Sequence, residues 1–290
     1  MYKLYLPFIG TKEADFGTQV DGKCTIKIID KKIYQTPDRW GETNSWFASN
    51  ITLFGNNPFI VGMRGCPVEY RLWEDKVGSP PREDCYQHFT DHACNLVDTY
   101  NIPILEICNE PNVENTLPNP EQYWFGAWVE NGDYYGAGRR YGDLLSACYP
   151  SLHAKGVKVL GGALNGEATS IPFLQGMLET GKCDYVSFHC YTHQGTDFVQ
   201  GATEKIDRIR NFTDKPLFIT EAALISPEGL VYDTEVFRAL QVEFFIWLKK
   251  YLKVLGIPFL WYSSDNTWRN CGLWRRGEPM PIWFEWIKGE

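Results

Sequence analysis

From residue 58 onward, short apolar runs alternate with longer amphipathic stretches, and few folds accept that rhythm. The run 58–63 (Pro-Phe-Ile-Val-Gly-Met) reads as a strand. Residues 82–100 follow it with Tyr86, Phe89, Ala93, Leu96, Val97 and Tyr100 at spacings of three and four, one face of a helix. Further runs at 102–107, 157–162, 185–191, 216–220 and 257–262 are short, apolar and rich in β-branched or aromatic residues, as strands are. Between and after them, 141–154, 171–179, 203–211, 234–255 and 281–288 carry helical patterns. Strands that alternate with helices through short connections imply a parallel sheet covered by helices. Before residue 58, stretches 16–21 and 24–29 supply two weaker strands, and 40–54 is weakly helical. Eight strands predict an α/β chain folded as a (β/α)8 TIM barrel, for which about 250 residues is typical. The chain is expected to be a single domain over 1–290 with a short or irregular N-terminal quarter. A doubly wound open sheet is the competitor. It usually carries a Gly-rich phosphate turn after its first strand, and the sequence has no G-x-G-x-x-G and no P-loop.

Composition removes several classes of function. A net charge of −8 and a pI near 5.3 argue against nucleic acid or an anionic membrane as partner. No apolar run approaches the roughly 18 residues of a membrane span. Five His without H-E-x-x-H or clustered ligands argue against a catalytic metal, no cofactor motif is present, and no G-x-S-x-G elbow supports a serine hydrolase. Nine Cys, an odd number without C-x-x-C pairs, read as buried reduced thiols and favour a reducing compartment. The N-terminus lacks the longer apolar run of a signal peptide. A monomer is expected.

Two of the strands end in carboxylates. The stretch Ile102-Pro-Ile-Leu-Glu-Ile-Cys-Asn-Glu-Pro-Asn112 begins as an apolar run and closes on Asn109, Glu110 and Pro111. Proline stops a strand, so Glu110 stands at its solvent end. Pro216-Leu-Phe-Ile-Thr-Glu-Ala222 has the same design around Glu221. In one parallel barrel these carboxylates face each other across the mouth, as a glycosidase requires. Aromatics at 15%, with 11 Trp and 16 Tyr, suit the flat C–H faces of sugar rings.

Here a resemblance becomes specific. Glu-Ile-Cys-Asn-Glu-Pro-Asn (106–112) resembles the fourth-strand signature of clan A glycoside hydrolases, with Glu221 at the end of strand seven. Val61-Gly-Met-Arg-Gly-Cys-Pro67 resembles their third strand. Tyr134-Tyr-Gly-Ala-Gly-Arg-Arg-Tyr-Gly142 and Val159-Leu-Gly-Gly-Ala163 resemble the fourth helix entry and fifth strand of family 39-like members. Ser187-Phe-His-Cys-Tyr191 resembles strand six, and Phe259-Leu-Trp-Tyr262 strand eight. The likeness covers residues 57–290 and extends to family 5-like enzymes. Cys108 departs from it, standing where these enzymes often carry Trp or Gly.

The resemblance implies a retaining β-glycoside hydrolase acting on a β-linked polysaccharide or oligosaccharide, and it allows secretion. Glu110 would be the acid/base and Glu221 the nucleophile of a double displacement. Asn109 would hydrogen-bond the sugar 2-hydroxyl. Tyr191 or His189 would lie beside Glu221 and hold it in line, and Trp261 would form an aromatic floor. Arg64 would meet sugar or a structural partner, and Gln19 would sit near the end of a first strand. The long loop 112–138, with Trp124, Trp128, Tyr134 and Tyr135, would wall the cleft. The alternative is a catalytically inactive carbohydrate-binding protein on the same barrel.

Overall fold

The computed structural model describes residues 9–12, 25–29, 59–62, 68–74, 78–114, 128–193, 195, 197–226, 234–262, 271–275 and 278–288. Its frame is eight strands: β1 (Ile9–Lys12), β2 (Thr25–Ile29), β3 (Phe59–Gly62), β4 (Ile104–Ile107), β5 (Lys158–Leu164), β6 (Tyr185–His193), β7 (Leu217–Ile225) and β8 (Phe259–Tyr262). Each pairs in parallel with the next, and β8 pairs with β1, so the sheet curls into a ring. The described helices are α1 (Tyr86–Tyr100), α2 (Tyr134–Ala154), α3 (Ser170–Thr180), α4 (Phe198–Arg210), α5 (Glu235–Leu255) and α6 (Pro281–Ile287). They follow β3 through β8 in turn, and a short antiparallel pair, β9 (Trp274–Arg275) and β10 (Glu278–Pro279), precedes α6.

Three boundaries correct the sequence reading. The first described strand is Ile9–Lys12, a stretch the sequence reading left unassigned. Its four residues hold one strongly apolar side chain, so neither run nor period marks it. Residues 16–21 and the helix expected over 40–54 lie outside the described residues. Helix α2 starts at Tyr134, because Asp133 caps it by accepting from the Gly136 N–H at 2.8 Å. Tyr134 and Tyr135 therefore sit in its first turn, not in a loop. Glycines at 136 and 138 disguised its first turns. Gly138 and Gly142 are there because α2 touches its neighbour: a Cβ at Gly138 would lie 2.0 Å from the Phe173 carbonyl of α3, and one at Gly142 2.3 Å from Thr180 Oγ1. Helix α4 likewise begins at Phe198, with Asp197 accepting from the Gln200 N–H at 2.9 Å.

Two apolar layers define which way each strand residue faces. Inside the ring, Ile104, Leu160, Phe218 and Leu260 form a small cluster with Tyr185 packed against it. Outside, Leu105, Ile107, Val159, Val186, Phe188, Cys190, Leu217, Ile219, Phe259 and Trp261 join the main core between sheet and helices. Because strand side chains alternate, Glu106, Ser187, His189, Tyr191, Thr220 and Tyr262 fall on the inner face. The polar inner residues lie toward the C-terminal strand ends, where barrel sites are built.

Candidate active site

The chain after β4 is turned by unusual backbone. Cys108 (φ 62°) and Glu110 (φ 48°) both adopt left-handed conformations, as does Ala163 (φ 41°) near the end of β5. For residues with a Cβ this costs on the order of 1 kcal/mol or more each, and such strain gathers at functional sites. Hydrogen bonds hold it in place. The Glu110 N–H donates to the Ala163 carbonyl at 3.0 Å, and the Ala163 N–H donates to Ser187 Oγ at 2.8 Å. The buried Tyr141 hydroxyl donates to the Ile107 carbonyl and accepts from the Gly162 N–H at 3.0 Å, clamping β4 to β5 just below Glu110. Gly162, at φ 118°, is required there, since a Cβ would lie 2.6 Å from the Ser187 carbonyl.

Beyond that clamp, Asn112 extends the tie. Its Nδ2 donates to Asn165 Oδ1 at 2.7 Å and to Ser170 Oγ at 3.0 Å, and its Oδ1 accepts from the Asn165 N–H at 3.1 Å. The loops after β4 and β5 are thus joined by side chains as well as by backbone.

Glu221 reaches the inner face through a bulge. Phe188 pairs with Ile219, but the next residue, His189, pairs with Glu221; on the other side Ile219 pairs with Phe259 and Ala222 with Trp261. Strand β7 therefore carries one extra residue, and Thr220 and Glu221 both turn inward. Bulges beside sites commonly re-aim a side chain in this way.

These devices bring Glu110 and Glu221 to opposite edges of one imidazole. His189 Nδ1 lies 2.6 Å from Glu110 Oε1, and His189 Nε2 lies 3.2 Å from Glu221 Oε1. The first contact is a hydrogen bond. The second is an ion-pair approach whose angle falls short of one. The Tyr191 hydroxyl donates to Glu221 Oε2. Burial, and then the Glu221 carboxylate beside it, push the Tyr191 phenol well above its ordinary value, so it stays a donor. His189 is wholly buried, with Glu110 and Glu221 at 8% and 3% exposure. The neutral ring can donate to only one of the two carboxylates at a time; the imidazolium can donate to both. Among the described residues no set of ligating side chains is arranged to hold a metal ion, and no helix is long and apolar enough to cross a membrane.

Of the residues singled out in the sequence, Glu110, Glu221, His189 and Tyr191 come together here, and Asn109 is buried next to Glu110. Arg64, Gln19 and Trp124 lie outside the described residues. Trp261 is a correction. It is fully buried on the helix side, packed on Phe244 and Phe245 of α5 with ring centroids 6.0 and 5.5 Å away, and its Nε1 donates to the Cys271 carbonyl at 2.8 Å. The aromatic on the inner face is its neighbour Tyr262, edge-on to Tyr191 at 5.7 Å. Trp128 is a second correction: it is buried edge-on to Tyr141 at 5.2 Å rather than walling a cleft. Sequence reasoning also missed Tyr141, Ser187 and Asn112, whose roles depend on contacts between elements far apart in the chain.

The ring of parallel strands is a fold that this chain shares with solved glycoside hydrolases. No family model and no curated protein matches the chain. Solved structures do. An endo-1,4-β-xylanase from Caldicellulosiruptor owensensis is similar at a TM-score of 0.63 and 13% identity, over 98% of this chain and 96% of that one. A GH128 (subgroup II) endo-β-1,3-glucanase from Sorangium cellulosum is similar at a TM-score of 0.58 and 16% identity, over 97% of this chain and 98% of that one. A GH128 (subgroup I) endo-β-1,3-glucanase variant from Amycolatopsis mediterranei, solved with laminaritriose and laminaribiose, is similar at a TM-score of 0.59 and 15% identity, over 97% and 98%.

Proposed function

We propose that this chain is a retaining β-glycoside hydrolase of the clan A type, a complete (β/α)8 barrel in one domain, that cleaves a β-linked polysaccharide or oligosaccharide. The observation that carries the proposal is Glu110 and Glu221, from β4 and β7, held on either side of His189. Glu221 is the nucleophile. Tyr191 donates to one of its oxygens and His189 stands beside the other, which keeps the carboxylate aligned for attack on the anomeric carbon. Glu110 is the acid/base. It protonates the leaving oxygen in the first step and takes a proton from water in the second. The hydrogen bond between Glu110 and His189 Nδ1 holds the carboxyl group in place through both steps. Asn109, next to the acid/base, binds the sugar 2-hydroxyl, and Tyr262 supplies the aromatic surface that Trp261 does not.

The known activities of structural neighbours, β-1,3-glucanase and β-1,4-xylanase, make β-1,3-glucan and β-1,4-xylan the first substrates to try. Proton NMR of fresh digests reads the anomer formed first. The β-anomer is expected. The α-anomer would refute double displacement, and binding without product from either polymer would favour the carbohydrate-binding alternative.

A further inference from the structure

We propose that Glu106 is a positioning residue whose hydrogen bond to Thr220 pins the β7 bulge and thereby aims Glu221 into the barrel mouth. This rests on the reading of Glu221 as nucleophile. A regular β7 with Phe218 and Thr220 on the inner face would send Glu221 outward, to the side where Ile219 and Ala222 meet the helix layer. The bulge alone reverses that parity, and the registers to both β6 and β8 place it between Ile219 and Ala222. A bulge gives up regular ladder pairing at the extra residue, so Thr220, which has no register partner on β6 or β8, has to be fixed by something other than the ladder.

Glu106 supplies that anchor. Its Oε1 accepts from Thr220 Oγ1 at 2.6 Å, and both residues are wholly buried. The contact crosses the ring from β4 to β7 and lies just above the inner apolar cluster of Ile104, Leu160, Phe218 and Leu260. An aliphatic residue at 106 would extend that cluster without desolvating a carboxyl group, which is expensive in such surroundings. What an aliphatic side chain could not do is hold a hydroxyl at a set distance across the barrel. Strand β4 also carries Glu110 at its end. One strand therefore positions one carboxylate directly and the other through Glu106 and Thr220, and the separation between the two is set by a single element. Displacing a reacting group by about 1 Å can cost on the order of 100-fold in rate, which is the size of effect this link guards against.

The test compares Thr220→Val, which removes the hydroxyl at equal size, with Thr220→Ser, which keeps it, and Glu106→Leu with Glu106→Gln, which keeps an acceptor oxygen. Glu221→Gln is the reference. Thr220→Val and Glu106→Leu are expected to lose on the order of 100-fold in kcat with KM changed by no more than about threefold, since aim and not substrate affinity is disturbed. Thr220→Ser and Glu106→Gln should recover most of the rate, a rescue that a merely space-filling role would not give. Thr220→Val at wild-type kcat beside an inactive Glu221→Gln would overturn the inference alone. A fully active Glu221→Gln would instead overturn the reading of the site. Should circular dichroism show Thr220→Val unfolded, a crystal structure of Thr220→Ala decides. Glu221 turned away from His189 supports the inference, and Glu221 still against His189 Nε2 refutes it.

Discussion

Replacing Tyr191 with Phe removes one oxygen and leaves the ring in place. That ring is held edge-on between His189, at 6.0 Å, and Tyr262, at 5.7 Å, so the packing survives. What is lost is the hydrogen bond to Glu221 Oε2. A hydrogen bond to a charged group is worth about 1.5–3 kcal/mol, and leaving the buried carboxylate with one donor fewer lies within that range. At about 1.4 kcal/mol per tenfold, kcat/KM should fall by roughly 10- to 100-fold. The pH dependence supplies a second, independent readout. The phenol stabilises the ionised form of Glu221, so its removal favours the protonated form and moves the acid limb of the pH–rate profile upward. Initial rates for wild type and Tyr191→Phe on the same β-linked substrate, taken across the acid limb, test both effects. Wild-type kcat/KM with an unmoved acid limb would refute the assignment of Tyr191 as the group that holds Glu221.

Three further outcomes follow from particular contacts. Trp261→Ala, which empties a site filled against Phe244 and Phe245, should destabilise the fold by about 3–5 kcal/mol, whereas Tyr262→Ala should weaken substrate binding at near-native stability; urea melts beside KM measurements separate the two, and the reverse pattern would return Trp261 to the cleft. Gly138→Ala drives a Cβ to 2.0 Å from the Phe173 carbonyl, so α2 and α3 must part, and a loss of about 1–3 kcal/mol is expected in thermal unfolding; an unchanged midpoint would contradict that close approach. Burial pushes the Cys148 and Cys190 thiols up to about 12 and Cys183 to about 11, from an ordinary 9.0. The folded state therefore holds protons that the unfolded chain releases first: their contribution is full below pH 9 and is lost as pH rises toward 11–12, at about 1 kcal/mol per pH unit for each thiol. Stability measured by urea at pH 8 and pH 10 should fall accordingly, and a flat response would show the thiols to be exposed.

Strand–helix alternation was legible because helices announce themselves by period and buried strands by unbroken apolar runs. The same unbroken runs hid which way each strand faces. Parallel strands covered on both sides show little alternation, so Phe259-Leu-Trp-Tyr262 offers no clue that Tyr262 and not Trp261 points inward. Glu110 and Glu221 stood out as charges closing apolar runs, and the spacing of His189 and Tyr191 put them on one face of β6. The left-handed turns at Cys108 and Glu110 and the bulge at Thr220 leave no mark in composition, because they are imposed by long-range hydrogen bonds that Tyr141 donates and that Ala163 and Glu106 accept. Helix α2 was read short because its glycines report a tight contact with α3, not a turn. Strand β1 was missed because four residues are too few to show a pattern.

The most direct measurement is reducing-sugar release from a panel of β-linked polysaccharides and aryl glycosides, wild type beside Glu221→Gln. Release by wild type that the variant lacks is the expected result, and it would name the sugar as well. Equal release by the two proteins from every substrate that either cleaves would contradict the assignment of Glu221 and the mechanism built on it.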